Sequence, residues 1–368
     1  MSVRIPFSVC YYDRWLVAAV YKKHCTGSEI SLILHPTNFQ TYMNKSKYAI
    51  ALMACCIVAV AGCAGKTAGN TAQQTADEAK EITFDADSAY SFVARQCAFG
   101  ERVPNTDAHS ECGDWIASRL RQCGATVTEQ RADMKAFDGT LLHARNIVGE
   151  FYPEKKRRVL LVAHWDCRPW ADSDPNPDNH RKPVMGANDG ASGVGVLLEM
   201  ARLLKNNEPA VGIDILLVDA EDWGDDNGDN PDSWALGTQH WVRTPHREGY
   251  TRPEYAILLD MVGDANATFL REYFSQQYAP DVVNRVWAAA NRLGYGNFFV
   301  NANGGGITDD HLAINNAGIP CIDIIDQRMD SPTGFCPQWH TTDDTMTHID
   351  RRPLKAVGQT LVNLLLEK

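Results

Sequence analysis

Four short runs, Val159–Ala163, Ile213–Val218, Ala256–Leu259 and Pro320–Ile325, are predominantly apolar with little alternation. A strand with one face in water alternates polar and apolar side chains, so runs of this kind belong to strands covered on both faces. Helical stripes lie between and around them. Ala108, Cys112, Trp115, Ile116, Leu120 and Cys123 form one, with Gly124 placed to end it. Val194, Leu197, Leu198, Ala201 and Leu204 form a second. Val283, Val286, Trp287, Ala290 and Leu293 form a third, opened by Pro280 and closed by Gly294. Leu354, Val357, Leu361, Leu364 and Leu365 give a C-terminal helix. Ala125–Arg131 and His143–Phe151 read as earlier strands, antiparallel toward an edge. Helices alternating with doubly covered strands predict an α/β fold, a single-domain α/β/α sandwich over residues 83–368.

In open α/β sheets, ligands bind beyond the carboxyl ends of the strands. Polar clusters stand at those ends here: His164-Trp165-Asp166, Asp219-Ala220-Glu221-Asp222 and Asp260. Two more lie in loops, Gly186-Ala187-Asn188-Asp189-Gly190 and Gln338-Trp339-His340-Thr341. Imidazoles and carboxylates converging on one rim suit a zinc ion, whose catalytic form keeps a position open for water or substrate. His164 and Asp166 are two apart and share a face if the strand continues, as a histidine and its orienting carboxylate would. Adjacent Glu221 and Asp222 point apart, so one can bind metal while the other stays free as a base.

Other signals carry less. Gly190-Ala191-Ser192-Gly193-Val194 fails the Gly-x-Ser-x-Gly elbow at Val194, and Asn303-Gly304-Gly305-Gly306 lacks the Lys of a phosphate loop. Residues 225–232 open like a calcium loop but lack its sixth-position Gly and twelfth-position Glu, leaving Ca2+ a minor expectation. Trp234 fits either the pocket rim or the core. Six cysteines follow Cys63, and six allow about 15 pairings with nothing to choose among them.

The N-terminal region reads separately. Lys45 and Lys47 precede an uncharged, mostly apolar stretch from Tyr48 to Gly65, with Val60-Ala61-Gly62-Cys63 near its end. The expected organisation is an upstream extension over 1–42, an initiator at Met43, a lipoprotein signal peptide over 43–62 and a lipid-bearing Cys63. Residues 63–82 then form a polar tether, and the protein is exported and held on a bacterial membrane, facing the periplasm. From Cys63 onward the chain carries 29 basic and 44 acidic side chains. That acidic balance, without a basic block, excludes nucleic acid as the main partner. A content of 44% hydrophobic and 22% charged residues excludes wholesale disorder.

His164-x-Asp166, Gly-Ala-Asn-Asp189-Gly-Ala-Ser-Gly, Glu221-Asp222, Leu-Asp260-Met-Val-Gly, Asp-Asp310-His311 and Trp339-His340-Thr resemble zinc aminopeptidases of the M28 type. They resemble still more the glutaminyl cyclases that share that fold. The resemblance implies a central mixed, twisted sheet flanked by helices, with zinc at the strand carboxyl ends. It implies Asp189, Asp222 and His340 as zinc ligands and Glu221 as the general acid/base. It further implies Asp260 and Asp310 as an acidic pair supporting proton transfer. Trp223, Trp339 and His164 would line the substrate pocket. Asp222 stands where the family often has Glu, so the loop must approach the ion more closely.

The implied reaction closes the N-terminal glutamine of a peptide to pyroglutamate, releasing ammonia, in a monomer. Two alternatives stay open. His164 and Asp260 are available for a second metal, as in an aminopeptidase, and a non-catalytic, lipid-anchored binder would keep the fold without the activity.

Overall fold

The structure, a computed structural model, describes the backbone of residues 9–12, 15–24 and 27–34, and residues 81–367 apart from 227 and 229. The expected signal peptide, Cys63 and all but the end of the tether lie outside the described residues. The chain divides into two units, Met1–Asp77 and Glu78–Lys368. In the first, β1 (Val9–Tyr12), β2 (Trp15–His24) and β3 (Gly27–Leu34) pair antiparallel in sequence order.

The second unit is built on a six-stranded sheet. Its strands are β4 (Thr126–Lys135), β5 (Leu141–Phe151), β6 (Arg158–His164), β7 (Gly212–Val218), β8 (Tyr255–Asp260) and β11 (Cys321–Ile325). They are ordered β11-β8-β6-β7-β5-β4. The first four are mutually parallel, whereas β5 and β4 add antiparallel at one edge. Two shorter strands, β9 (Phe269–Arg271) and β10 (Phe299–Asn303), pair in parallel apart from it.

Alternate residues of the central strands feed two cores. Val159, Leu161 and Ala163 of β6 join one cluster with the helices Ala86–Cys97, Asp107–Gln122, Ala191–Leu204, Pro280–Arg292 and Arg351–Leu365. Leu160 and Val162 face the opposite side, against Trp241 and Ile314 of the helices Leu236–Arg243 and Asp310–Asn316. Both faces are therefore covered, as the unbroken apolar runs require. The Ala191–Leu204 helix lies deepest: every residue except Arg202 is buried. Each Leu or Val so placed contributes about 1.5–3 kcal/mol relative to exposure.

The predicted helix ends hold. Gly124 and Gly294 take φ of +92° and +86°, the left-handed region that favours glycine past a helix end. Register then sets the rim: His164 pairs with Val218, and Ile325 with Asp260. The residues that follow these four positions consequently emerge together at one end of the sheet.

Candidate active site

A cavity of about 510 Å³ opens at that rim. Asp189, Glu221, Asp222, Asp260, Asp309, Trp234, Trp339 and His340 are among its walls. Backbone strain gathers around it. Ala220, Ala235, Met261 and His340 all carry φ between +47° and +55°, a region that costs a non-glycine residue free energy. Three of these flank Glu221, Trp234 and Asp260, so the strain lies in the turns that aim the site.

Asp189, Asp222 and His340 come together as one group able to hold a metal ion. His340 Nε2 lies 3.3 Å from Asp222 Oδ1 and 3.8 Å from Asp189 Oδ2. A tetrahedral zinc with ligands about 2.0–2.2 Å away separates them by about 3.3–3.6 Å, so this buried N,O,O set fits the ion. The cage is held from outside. Asp344 accepts the backbone N–H groups of Asn188 and Asp189 at 2.8 and 3.1 Å, fixing the Asp189 loop. Asp166 accepts those of Glu221 and Asp222 at 3.3 and 3.2 Å. Sequence pairing of His164 with Asp166 thus identified an orienting carboxylate, but the groups it fixes most directly belong to the neighbouring strand end.

His164 sits differently from the pocket-lining role expected of it. It is 1% exposed, beneath the cavity, with Nε2 2.9 Å from Asp189 Oδ1 and 3.1 Å from Asp260 Oδ1. Burial opposes its charged form, but Asp166, Asp189 and Asp260 outweigh burial and raise its pKa well above the ordinary value. A side chain at position 190 would strike it: a Cβ there would lie 2.3 Å from His164 Nε2, which explains the glycine after Asp189.

Glu221 faces the cavity 3.9 Å from His164 Nδ1. Burial, together with the charges of Asp309, Asp222 and Asp310, raises its pKa well above the carboxylate range despite His164. Burial and the Asp189 charge push Asp260 up to about 8. Both acids therefore hold a proton more readily than an ordinary carboxylate.

Two expectations need correction. Asp310 is fully buried, whereas its neighbour Asp309 lines the cavity. The cause is the helix start: Asp309 is the extended N-cap of Asp310–Asn316, and Asp310 enters the first turn and turns inward beneath it. Trp223 likewise leaves the pocket. It packs edge-on to Trp170 with ring centroids 5.6 Å apart, and its Nε1 donates to Asp138. Trp234 takes the wall instead, parallel to His340 with centroids 6.1 Å apart. Gly224 makes room for it, since a Cβ there would meet the Trp234 ring at 1.9 Å. Trp339 also lines the cavity, stacked on His340 with ring centroids 3.6 Å apart.

The glycine-rich segment contributes Gly306, followed by Ile307 and Thr308, to the cavity wall. The described part of the 225–232 loop lines its mouth through Asp225, Asp226, Gly228 and Asn230. Cys97, Cys112, Cys123, Cys167, Cys321 and Cys336 are all free thiols. No helix among the described residues is long and apolar enough to cross a membrane.

The chain is similar to solved bacterial proteins along most of its length. The glutaminyl cyclase of Bacteroides thetaiotaomicron, bound to N-acetylhistamine, is 51% identical, with a TM-score of 0.75 over 78% of this chain and 99% of that one. A Zn-dependent exopeptidase from Parabacteroides distasonis is 53% identical, with a TM-score of 0.76 over the same shares. Aminopeptidase YwaD of Bacillus subtilis is 27% identical over 277 residues, 72% of this chain and 53% of that relative, so the chain spans about half its length. Residues 146–365 match the model of Peptidase family M28, and the chain belongs to that family.

Proposed function

We propose that this protein is a zinc-dependent glutaminyl-peptide cyclotransferase, converting the N-terminal glutamine of peptides and proteins to pyroglutamate with release of ammonia. The observation that carries the reading is one cage of zinc-like spacing beside an acid, Glu221, that belongs to none of the candidate metal groups. Kinship with the Bacteroides glutaminyl cyclase supports it.

Asp189, Asp222 and His340 would hold the zinc, which supplies polarisation of the γ-carboxamide carbonyl. The cavity holds the glutamine folded on itself, so attack by its own α-amine is intramolecular. A bond forms between the α-nitrogen and the γ-carbon, and the bond from that carbon to the amide nitrogen breaks. Glu221 accepts the proton lost by the amine and returns it to the departing nitrogen, which leaves as ammonia. Asp260 and Asp309 flank this proton path, and Trp234 and Trp339 narrow the cavity around the substrate. Glu221→Gln tests the assignment: turnover falls about 10²–10⁴-fold with zinc content unchanged. Undiminished ammonia release from that variant would defeat it.

A second reading has its own support. His164, Asp189 and Asp260 form another group able to hold a metal, and the Parabacteroides relative bears an exopeptidase name. With two metals, Glu221 would activate water for peptide hydrolysis. The spacing favours one zinc, because the His164 contacts are of hydrogen-bond length.

We further infer export and anchoring through Cys63, with the catalytic unit facing the periplasm as a monomer. The support for export and anchoring is the sequence around Cys63 alone, and Cys63→Ser should release the protein from the membrane fraction. Calcium in the 225–232 loop remains a minor proposal; a thermal midpoint unmoved by EGTA would dismiss it.

A further inference from the structure

Arg168, in the loop after β6, has no part in the chemistry above, yet its guanidinium is only 1% exposed. Nε and Nη2 donate to the two oxygens of Asp172 at 2.8 and 2.6 Å, a bidentate pair. Nη1 lies 3.4 Å from Asp222 Oδ1 and donates to the carbonyls of Asp222 and Gly224 at 3.2 and 3.3 Å. The guanidinium also sits 4.9 Å from the centre of the Trp234 ring and 5.2 Å from that of Trp170. Asp172 in turn stands 3.4 Å from His340 Nδ1. A closed circuit results: His340, Asp172, Arg168, Asp222 and back to His340.

We propose that Arg168 is a positioning residue that presets two of the three zinc ligands and the Trp234 wall as one unit. Asp189 and Asp222 are buried carboxylates in one cage, and bringing them together without a fixed cation is costly. Arg168 supplies that cation from behind. It neutralises Asp222 and, through Asp172, fixes the ring of His340. The same planar group backs the indole of Trp234, so ligand geometry and cavity width are set by one side chain. Lysine keeps the charge but loses both the fork and the flat face. Residues that orient metal ligands in this way typically change metal affinity by about 10–100-fold when altered.

The inference rests on the zinc cage proposed above and is tested first without reference to activity. Zinc affinity is measured by chelator competition on the full chain for the parent, Arg168→Lys and Asp172→Asn, with thermal unfolding of each in the presence and absence of zinc. Both variants should bind zinc about 10–100-fold more weakly, and zinc should raise their midpoints less than the parent's. At saturating zinc, Arg168→Lys should raise KM for a Gln-initiated peptide severalfold with kcat little changed, because Trp234 has lost its backing. Parent-like zinc affinity in both variants overturns the proposal, as does failure of both to fold. If Arg168→Lys alone fails to fold, the zinc affinity of Asp172→Asn decides. A parent that binds zinc but releases no ammonia defeats the cyclotransferase reading, while the affinity comparison still stands.

Discussion

Asp260 Oδ1 lies 3.1 Å from His164 Nε2, within hydrogen-bond reach, although both residues were available in the sequence as ligands for a second metal. The imidazole fills the space between Asp260 and Asp189, and as a cation it balances them. The single-zinc proposal therefore predicts one zinc per chain. Metal analysis should find about one zinc in the parent and the same in His164→Gln, because the Asp189–Asp222–His340 cage does not use that side chain. Two zinc ions in the parent, falling to one in the variant, would show that His164 is a ligand instead.

Asp309 and Asp310 differ in position, since only Asp309 lines the cavity. Asp309→Asn removes a cavity-facing acid from the proton path and should lower kcat on a Gln-initiated peptide by about 100-fold or more. Asp310 lies behind it, buried, so Asp310→Asn should show its main effect as a lower thermal midpoint. Steady-state kinetics beside thermal unfolding decides; a larger kcat loss in Asp310→Asn would reverse the assignment.

Trp234 offers a binding test. Trp234→Ala opens the wall next to His340 and should raise KM by about 10-fold while changing kcat less. Trp223→Ala, by contrast, disturbs packing against Trp170 and should leave KM near the parent value. Equal KM effects in the two variants would contradict the placement of Trp223 outside the cavity.

Away from the site, Glu150 predicts how stability depends on pH. Burial alone would raise its pKa, but His246 and Arg247 outweigh it and hold the group down at about 2. Arg247 Nη2 donates to Glu150 Oε1 at 2.8 Å, and His246 Nε2 lies 3.3 Å from Oε2. A carboxylate depressed by folding stabilises fully above its unfolded pKa of about 4.3 and loses that contribution as pH falls toward its folded value. Thermal midpoints should therefore drop between about pH 4.3 and 2, with a shallower decline in Glu150→Gln. That variant should cost about 2 kcal/mol at neutral pH. Identical slopes in parent and variant would contradict the assignment.

Much of this arrangement was legible because it depends on local pattern. The strands β6, β7, β8 and β11 announce their double burial by their apolar runs, and the polar residues after them mark the rim without knowledge of register. Glu221 and Asp222 follow β7 and Asp260 ends β8, while Asp189 and His340 lie in the two polar loops that the sequence also marks. What stayed hidden depends on exact direction over one or two residues. The helix Asp310–Asn316 has only seven residues, too few for a clear stripe, so nothing in the sequence said which of two adjacent aspartates faces inward. The exchange of Trp223 for Trp234 turns on the absent side chain of Gly224, whose place the Trp234 ring takes although it lies ten residues along the chain.

Arg168 and Asp172 escaped notice for a related reason. Their partners Asp222 and His340 lie far along the chain, and a single Arg in a polar loop reads as solvated. Only the fold reveals that it is buried among aromatic rings.

The central claim, ring closure of N-terminal glutamine at a single zinc, meets its most direct test in one paired assay. Zinc-loaded protein is given a Gln-initiated peptide and its Leu-initiated counterpart, and ammonia and free amino acid are measured in both. Ammonia from the first peptide, matched by a blocked N-terminus, with neither product from the second, is the result this account predicts. Free leucine from the second peptide, with no ammonia from the first, would contradict it.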